Sequence, residues 1–109
     1  MKIAWHVEDK ELVRLALIGE LDMATVGTLE EAVDQALTID HPQQLILDLG
    51  ELRFCDSRGI GALLEARHAA TGRGAAFQAI NPRGMTLRTM QVTGLLDLLT
   101  ALTPAAQVG

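Results

Sequence analysis

The chain contains a single serine, Ser57, in the run Phe54-Cys55-Asp56-Ser57-Arg58-Gly59-Ile60-Gly61. A hydroxyl where a buried strand has ended and a helix begins can do three things. It can cap the helix, a role worth about 1 kcal/mol. It can accept a phosphoryl group, because N–H groups at a helix start lack internal partners and carry partial positive charge. It can also attack as a nucleophile. Its neighbours argue against the last. A nucleophile elbow needs glycine two residues before and after the serine, and Cys55 occupies the first place. Capping and phosphate acceptance use the same hydroxyl and remain open together. Gly59 gives the backbone clearance for a close approach.

Asp22, in Gly19-Glu20-Leu21-Asp22, has two readings. It caps the helix that follows, or it borders one surface with Ser57 if the ends of the second and third strands lie side by side. On the second reading, a phosphate on Ser57 brings roughly two negative charges beside Asp22 and Asp56. Repulsion across an interface costs several kcal/mol, and about 1.4 kcal/mol is tenfold in affinity.

Other chemistry is weakly represented. His68 lies on the same helix as Ser57, roughly 16 Å away at 1.5 Å per residue. His6 and His41 have no placement that suggests catalysis. There is no Gly-x-x-x-x-Gly-Lys-Ser/Thr run for nucleotide phosphates. No metal or cofactor is expected, and no catalytic residue is assigned. The lone Cys55 is either a small buried side chain or a redox input exposed near a helix N-terminus and Arg58.

The elements that must position Ser57 follow from periodicity. Residues 3–8 and 12–18 alternate and read as two strands joined at Asp9-Lys10, close enough for a hairpin. Gly19 to Asp22 breaks the pattern. From Thr25 the period turns helical, with Val26, Leu29, Ala32, Val33, Ala36 and Leu37 on one face and Asp34 and Gln35 outside it. His41-Pro42 ends that segment. Leu45 to Leu49 is nearly continuous in apolar character and reads as a central strand covered on both faces. Gly50 to Cys55 reads as a loop. A helix with Ile60, Leu63, Leu64 and Arg67 on one stripe runs to Gly72-Arg73-Gly74. Ala75 to Ile80 is a fourth strand. Asn81-Pro82 matches a helix start, asparagine as cap and proline at the first helical position, and that helix carries Met85, Leu87 and Met90. Leu95 to Leu102 reads as a short helix, a last strand, or one of each. Strands separated by helices imply parallel neighbours with right-handed crossovers. The expectation is an α/β single domain with a mixed four- to five-stranded sheet and helices mainly on one face.

Composition narrows the partners. A length of 109 residues suits one domain, and 49% hydrophobic with 3% aromatic means an aliphatic core. A net charge of -5 argues against nucleic acid and against an anionic membrane surface. Residues 1–20 hold Glu8, Asp9, Glu11 and Arg14, which does not suit a signal peptide. A cytoplasmic protein with protein partners is expected.

Leu45-Ile46-Leu47-Asp48-Leu49 followed by Phe54 to Gly61 resembles the core signature of STAS domains, in the branch of anti-sigma-factor antagonists. Gly19-Glu20-Leu21-Asp22 with Thr25 is similar to the family's other recurrent motif, and Thr93-Gly94-Leu95 to its third. The three motifs keep the family's order and span most of the chain. The resemblance implies a STAS domain over residues 1–102 and a short tail over 103–109. It implies a binding module rather than an enzyme. The unphosphorylated form would bind an anti-sigma factor, a serine kinase of the histidine-kinase-like ATPase fold, and so free the sigma factor. Phosphorylation of Ser57 would separate the pair, and a metal-dependent serine phosphatase would reset it. Asp22, Thr25, Asp56, Arg58 and Gly59 would contact the partner. Arg58 departs from the small residue common in the family; it would pair with the phosphate, select a kinase, or be a solvated first-turn cation. The short C-terminus also resembles STAS subunits of lipid-transport complexes. An accessory or scaffold role there, or in a stressosome-like assembly, is the alternative.

Overall fold

The structure, a computed structural model, describes residues 1–9 and 11–106. Alternating side chains build the first two strands, β1 (Lys2–Glu8) and β2 (Leu12–Leu21), which pair antiparallel. Asp9 turns between them with φ 50°; Lys10, expected at the same joint, lies outside the described residues. Helix α1 (Val26–Gln35) continues into a wider π-helical turn, Ala36–Asp40, which His41 closes in the left-handed region. Strand β3 (Gln44–Cys55), helix α2 (Ser57–Gly72), strand β4 (Ala76–Ile80) and helices α3 (Gly84–Thr93) and α4 (Leu96–Thr100) follow. The sheet order is β1-β2-β3-β4, with β2, β3 and β4 mutually parallel.

One face of this mixed sheet makes the core. Val13, Leu15, Leu17 and Leu21 of β2 alternate with half-buried neighbours, as do Leu45, Leu47 and Leu49 of β3 and Phe77 and Ala79 of β4. Leu29, Val33 and Leu37 from α1 and its last turn, and Ile60 and Leu63 from α2, belong to the same cluster. Burial of a Leu or Ile of this kind is worth about 1.5–3 kcal/mol. The expected cover on both faces of β3 is not found. Ile46, Asp48 and Gly50 on the other face are only half-buried, so β3 is central in the sheet yet one-sided in its packing.

Several local expectations change for tertiary reasons. Gly19 to Leu21 remain in β2, and Gly50 to Cys55 remain in β3, because the two strands keep pairing through register shifts near Ile18 and Glu20. Such bulges bend a strand without ending it. Asn81 does not cap α3; it is left-handed, with φ 58°, its amide donates to Asp48 Oδ1 at 3.2 Å, and the N-cap is Arg83. Met85 is exposed, and Thr86 and Met90 are the buried residues of α3. On α2, Ala62, Ala66 and Ala70 are buried while Leu64 is half-buried. Of the forms expected for Leu95 to Leu102 the structure has the helix, α4, and no strand; the isolated antiparallel bridge to Phe77 falls just beyond, at Thr103. No helix among the described residues is long and apolar enough to cross a membrane.

Candidate functional site

Parallel pairing brings the C-terminal ends of β2 and β3 side by side. Leu21 is in register with Cys55, and the Asp56 N–H donates to the Leu21 carbonyl at 3.3 Å. Asp22 and Asp56, the next residue on each chain, therefore leave the sheet from adjacent strand ends. Asp56 is extended and accepts from the Gly59 N–H at 2.9 Å through Oδ1. It is the N-cap of α2. Ser57 is the first helical residue and is exposed. The capping duty considered for the serine thus belongs to its neighbour.

Asp22 and Thr25 build the other half of the rim. Asp22 Oδ1 accepts from the Ala24 N–H at 2.9 Å. Thr25 Oγ1 accepts from the Asp22 N–H and donates to the Glu20 carbonyl, both at 2.9 Å. This closed turn fixes where Asp22 stands before α1 begins. Thr25 is at the N-cap position but makes no side-chain cap bond. Both residues are half-buried.

Gly59 is buried, and its reason is internal. A Cβ there would lie 2.6 Å from the Leu21 oxygen and 2.7 Å from Cys55 Sγ. The close approach that the glycine permits is that of α2 to the end of β2, which holds Ser57 at the strand ends. Cys55 fills the space beneath. Burial, and secondarily the Asp56 carboxylate, push its thiol from 9.0 up to about 12, so it stays protonated at neutral pH. That removes the thiolate a redox input would need.

Arg58 is exposed and takes part in neither of the ion pairs found among the described residues, His6–Glu8 at 3.0 Å and Arg73–Asp34 at 3.3 Å. Its guanidinium is available to a phosphate or a partner. Two apolar residues that the sequence did not single out belong to the same end of the sheet. Met23, directly after Asp22, is 67% exposed, and Phe54, in register with Glu20, is 39% exposed. A methionine inside a polar turn was the available signal for the first. Phe54 gave none, since an aromatic beside a buried cysteine reads as core.

The arrangement offers an accessible hydroxyl, a free cation and exposed apolar side chains beside two carboxylates. It brings no histidine to the serine. His68 is exposed on α2 three turns along, His6 pairs with Glu8, and His41 closes the turn after α1. No group of three His, Cys, Asp or Glu placed to hold a metal occurs among the described residues.

Comparison with known proteins places this geometry in context. A family model described as "Mlab, STAS domain" matches residues 6–101. A curated relative, the anti-sigma-F factor antagonist RsfB of Mycobacterium tuberculosis, is 31% identical over 81 residues, 74% of this chain and 65% of the relative. The match thus spans just under two thirds of that protein's length. A crystal structure of an anti-sigma factor antagonist from Mycobacterium paratuberculosis superposes with a TM-score of 0.72 at 30% identity, over 94% of this chain and 86% of that one. The phosphorylated form of the Bacillus cell fate determinant SpoIIAA gives 0.69 at 22% identity, over 92% and 89%; that likeness is one of fold.

Proposed function

The chain belongs to the STAS domain family, and from that premise we propose that it is an anti-sigma-factor antagonist switched by phosphorylation of Ser57. The observation that carries the reading is the exposed serine at the first position of α2, its helix already capped by Asp56. The names of the mycobacterial relatives support the partner class. In the unphosphorylated state Asp22, Thr25, Asp56, Ser57 and Arg58 form the docking surface, with Met23 and Phe54 as its apolar contacts. Gly59 acts from beneath by seating the helix. The partner is an anti-sigma factor serine kinase of the histidine-kinase-like ATPase fold.

Phosphorylation adds about 1.5–2 negative charges. First-turn N–H groups donate to the phosphate oxygens, so the fold is not disturbed. The partner meets the added charge beside Asp22 and Asp56, where like charge is not tolerated, and dissociates. A metal-dependent serine phosphatase returns the hydroxyl. The chain is then a substrate and binding module rather than an enzyme, working in the cytoplasm without direct contact to nucleic acid or membrane. The domain assigned this role is residues 1–102, with Thr103 and Ala106 hydrogen-bonded onto it.

Incubation with ATP and serine kinases of the same genome tests this. One phosphate on the wild type and none on Ser57→Ala is expected. Ser57→Asp should bind the anti-sigma factor at least about tenfold more weakly, as a change of about 1.4 kcal/mol implies. A Ser57→Asp protein that binds as tightly as wild type rejects the charge mechanism.

A second reading draws on the description of the matching family model. The chain would be an accessory or scaffold subunit of a stressosome-like or lipid-transport complex. Capture of a stable partner by wild type and Ser57→Asp alike would favour it.

A further inference from the structure

The two edges of the sheet are treated differently. Beyond β4, Thr103 pairs with Phe77 through two backbone hydrogen bonds of 2.8 Å, so that edge is partly closed. Among the described residues nothing pairs with the outer side of β1. Its seven residues, Lys2 to Glu8, contain no proline, and their register with β2 is continuous from Lys2↔Ile18 to Glu8↔Leu12. Edge strands are usually blunted by a proline, a bulge, an inward charge or charged side chains along the edge; β1 has only the last, Lys2 and Glu8, of opposite sign at its two ends.

Its apolar side chains are also on the wrong side for a solvent edge. Residues directly opposite in an antiparallel pair share a face. Trp5 and Val7 stand opposite the buried Leu15 and Val13, hence on the helix-bearing face. Yet Trp5 is 41% exposed and Val7 44%. The chain's one tryptophan is left at the rim of its own core.

We propose that β1 is the interface of a symmetric dimer, in which the β1 strands of two copies pair antiparallel about Trp5 and join both sheets. The strand is complementary to itself in that register. Lys2 of one copy faces Glu8 of the other, twice. Ile3 faces Val7, twice. Ala4 faces His6, and Trp5 meets Trp5 on the dyad. Opposite charges and apolar pairs directly across a strand pair stabilise it. A slip of two residues leaves Lys2 or Glu8 without its opposite charge. A slip of one turns the helix-bearing face of one copy to the open face of the other. The twofold contact is closed, so association stops at two.

The test uses the full chain in solution, by sedimentation and light scattering over a concentration series. The expected result is the mass of two chains at high concentration, falling to one on dilution. Lys2→Glu and Glu8→Lys each create two like-charge pairs and should weaken association about tenfold or more. The double exchange should restore it. All these positions are exposed, and circular dichroism checks that each variant is folded. Trp5→Cys should cross-link two copies under mild oxidation, since facing Cα atoms lie about 4.5–5.5 Å apart, within disulfide reach. Ala4→Cys, displaced from its own copy by two residues, should not. A single-chain mass up to millimolar concentration, or a dimer that neither charge reversal weakens, overturns the proposal.

Discussion

At the start of α2 the hydrogen bond from the Gly59 N–H goes to the carboxylate of Asp56, leaving Ser57 beside it exposed. The two side chains should therefore separate in a stability measurement. Asp56→Ala is expected to cost about 1 kcal/mol, the usual loss of a cap. Ser57→Ala should stay within about 0.5 kcal/mol, as for other exposed substitutions. Urea denaturation of the two variants decides this, and a larger loss at Ser57 would return the capping role to the serine. Gly59→Ala meets a backbone oxygen at 2.6 Å, an obstacle that no rotamer change relieves. Overpacking of this sort costs about 1–3 kcal/mol, and the variant's melting temperature should fall accordingly. For Cys55 the sign follows from its raised pKa. Above pH 9 the unfolded chain releases the thiol proton while the native protein holds it until about 12, so stability declines across that window. Wild type should lose stability more steeply than Cys55→Ala between those pH values. A thiol reagent at neutral pH should label only unfolded protein.

Among the elements, α3 depends on a contact that no local pattern contains. Thr86 is buried, and its hydroxyl donates to the Leu52 carbonyl in β3 at 3.2 Å. Thr86→Val keeps the shape and removes the donor, so a loss of about 1 kcal/mol is expected, read as a lower denaturation midpoint. The same junction explains where sequence reading succeeded and failed. The strand before Ser57 was visible because Leu45, Leu47 and Leu49 form a short apolar run. Its last six residues were not, since Gly50, Glu51 and Arg53 look like a loop and only pairing with a bulged β2 keeps them extended. Asn81-Pro82 has the composition of a helix start, but a hydrogen bond to Asp48, 33 positions away, holds Asn81 elsewhere. The expected stripe of α2 left out Ala62, Ala66 and Ala70, which lie buried beside Ile60 and Leu63, small residues that let α1 and α2 approach. Ser57 was legible because it is the one serine after an apolar run; the exposure of Met23 and Phe54 depends on neighbours that local spacing does not reveal.

For the molecule as a whole, the segment after α4 is part of the body at least through Ala106. Thr103 exchanges two backbone hydrogen bonds with Phe77, and the Ala106 N–H donates to the Thr71 carbonyl at 2.9 Å. Residues 107–109 of the expected tail lie outside the described residues. Ending the chain after Leu102 should lower stability by about 2 kcal/mol, from net values near 0.5–1.5 kcal/mol per bond, although the family match stops at residue 101. Calorimetry of the two lengths checks this; equal melting temperatures would make the segment dispensable. The spatial order of the strands is also their order along the chain. No later strand has to be threaded between two earlier ones. During synthesis, at roughly 5–20 residues per second, the hairpin of the first two strands can close before the third has left the ribosome. Each new strand then finds a waiting edge, so besides the outer side of β1 only the newest margin of the growing sheet stands open to wrong partners.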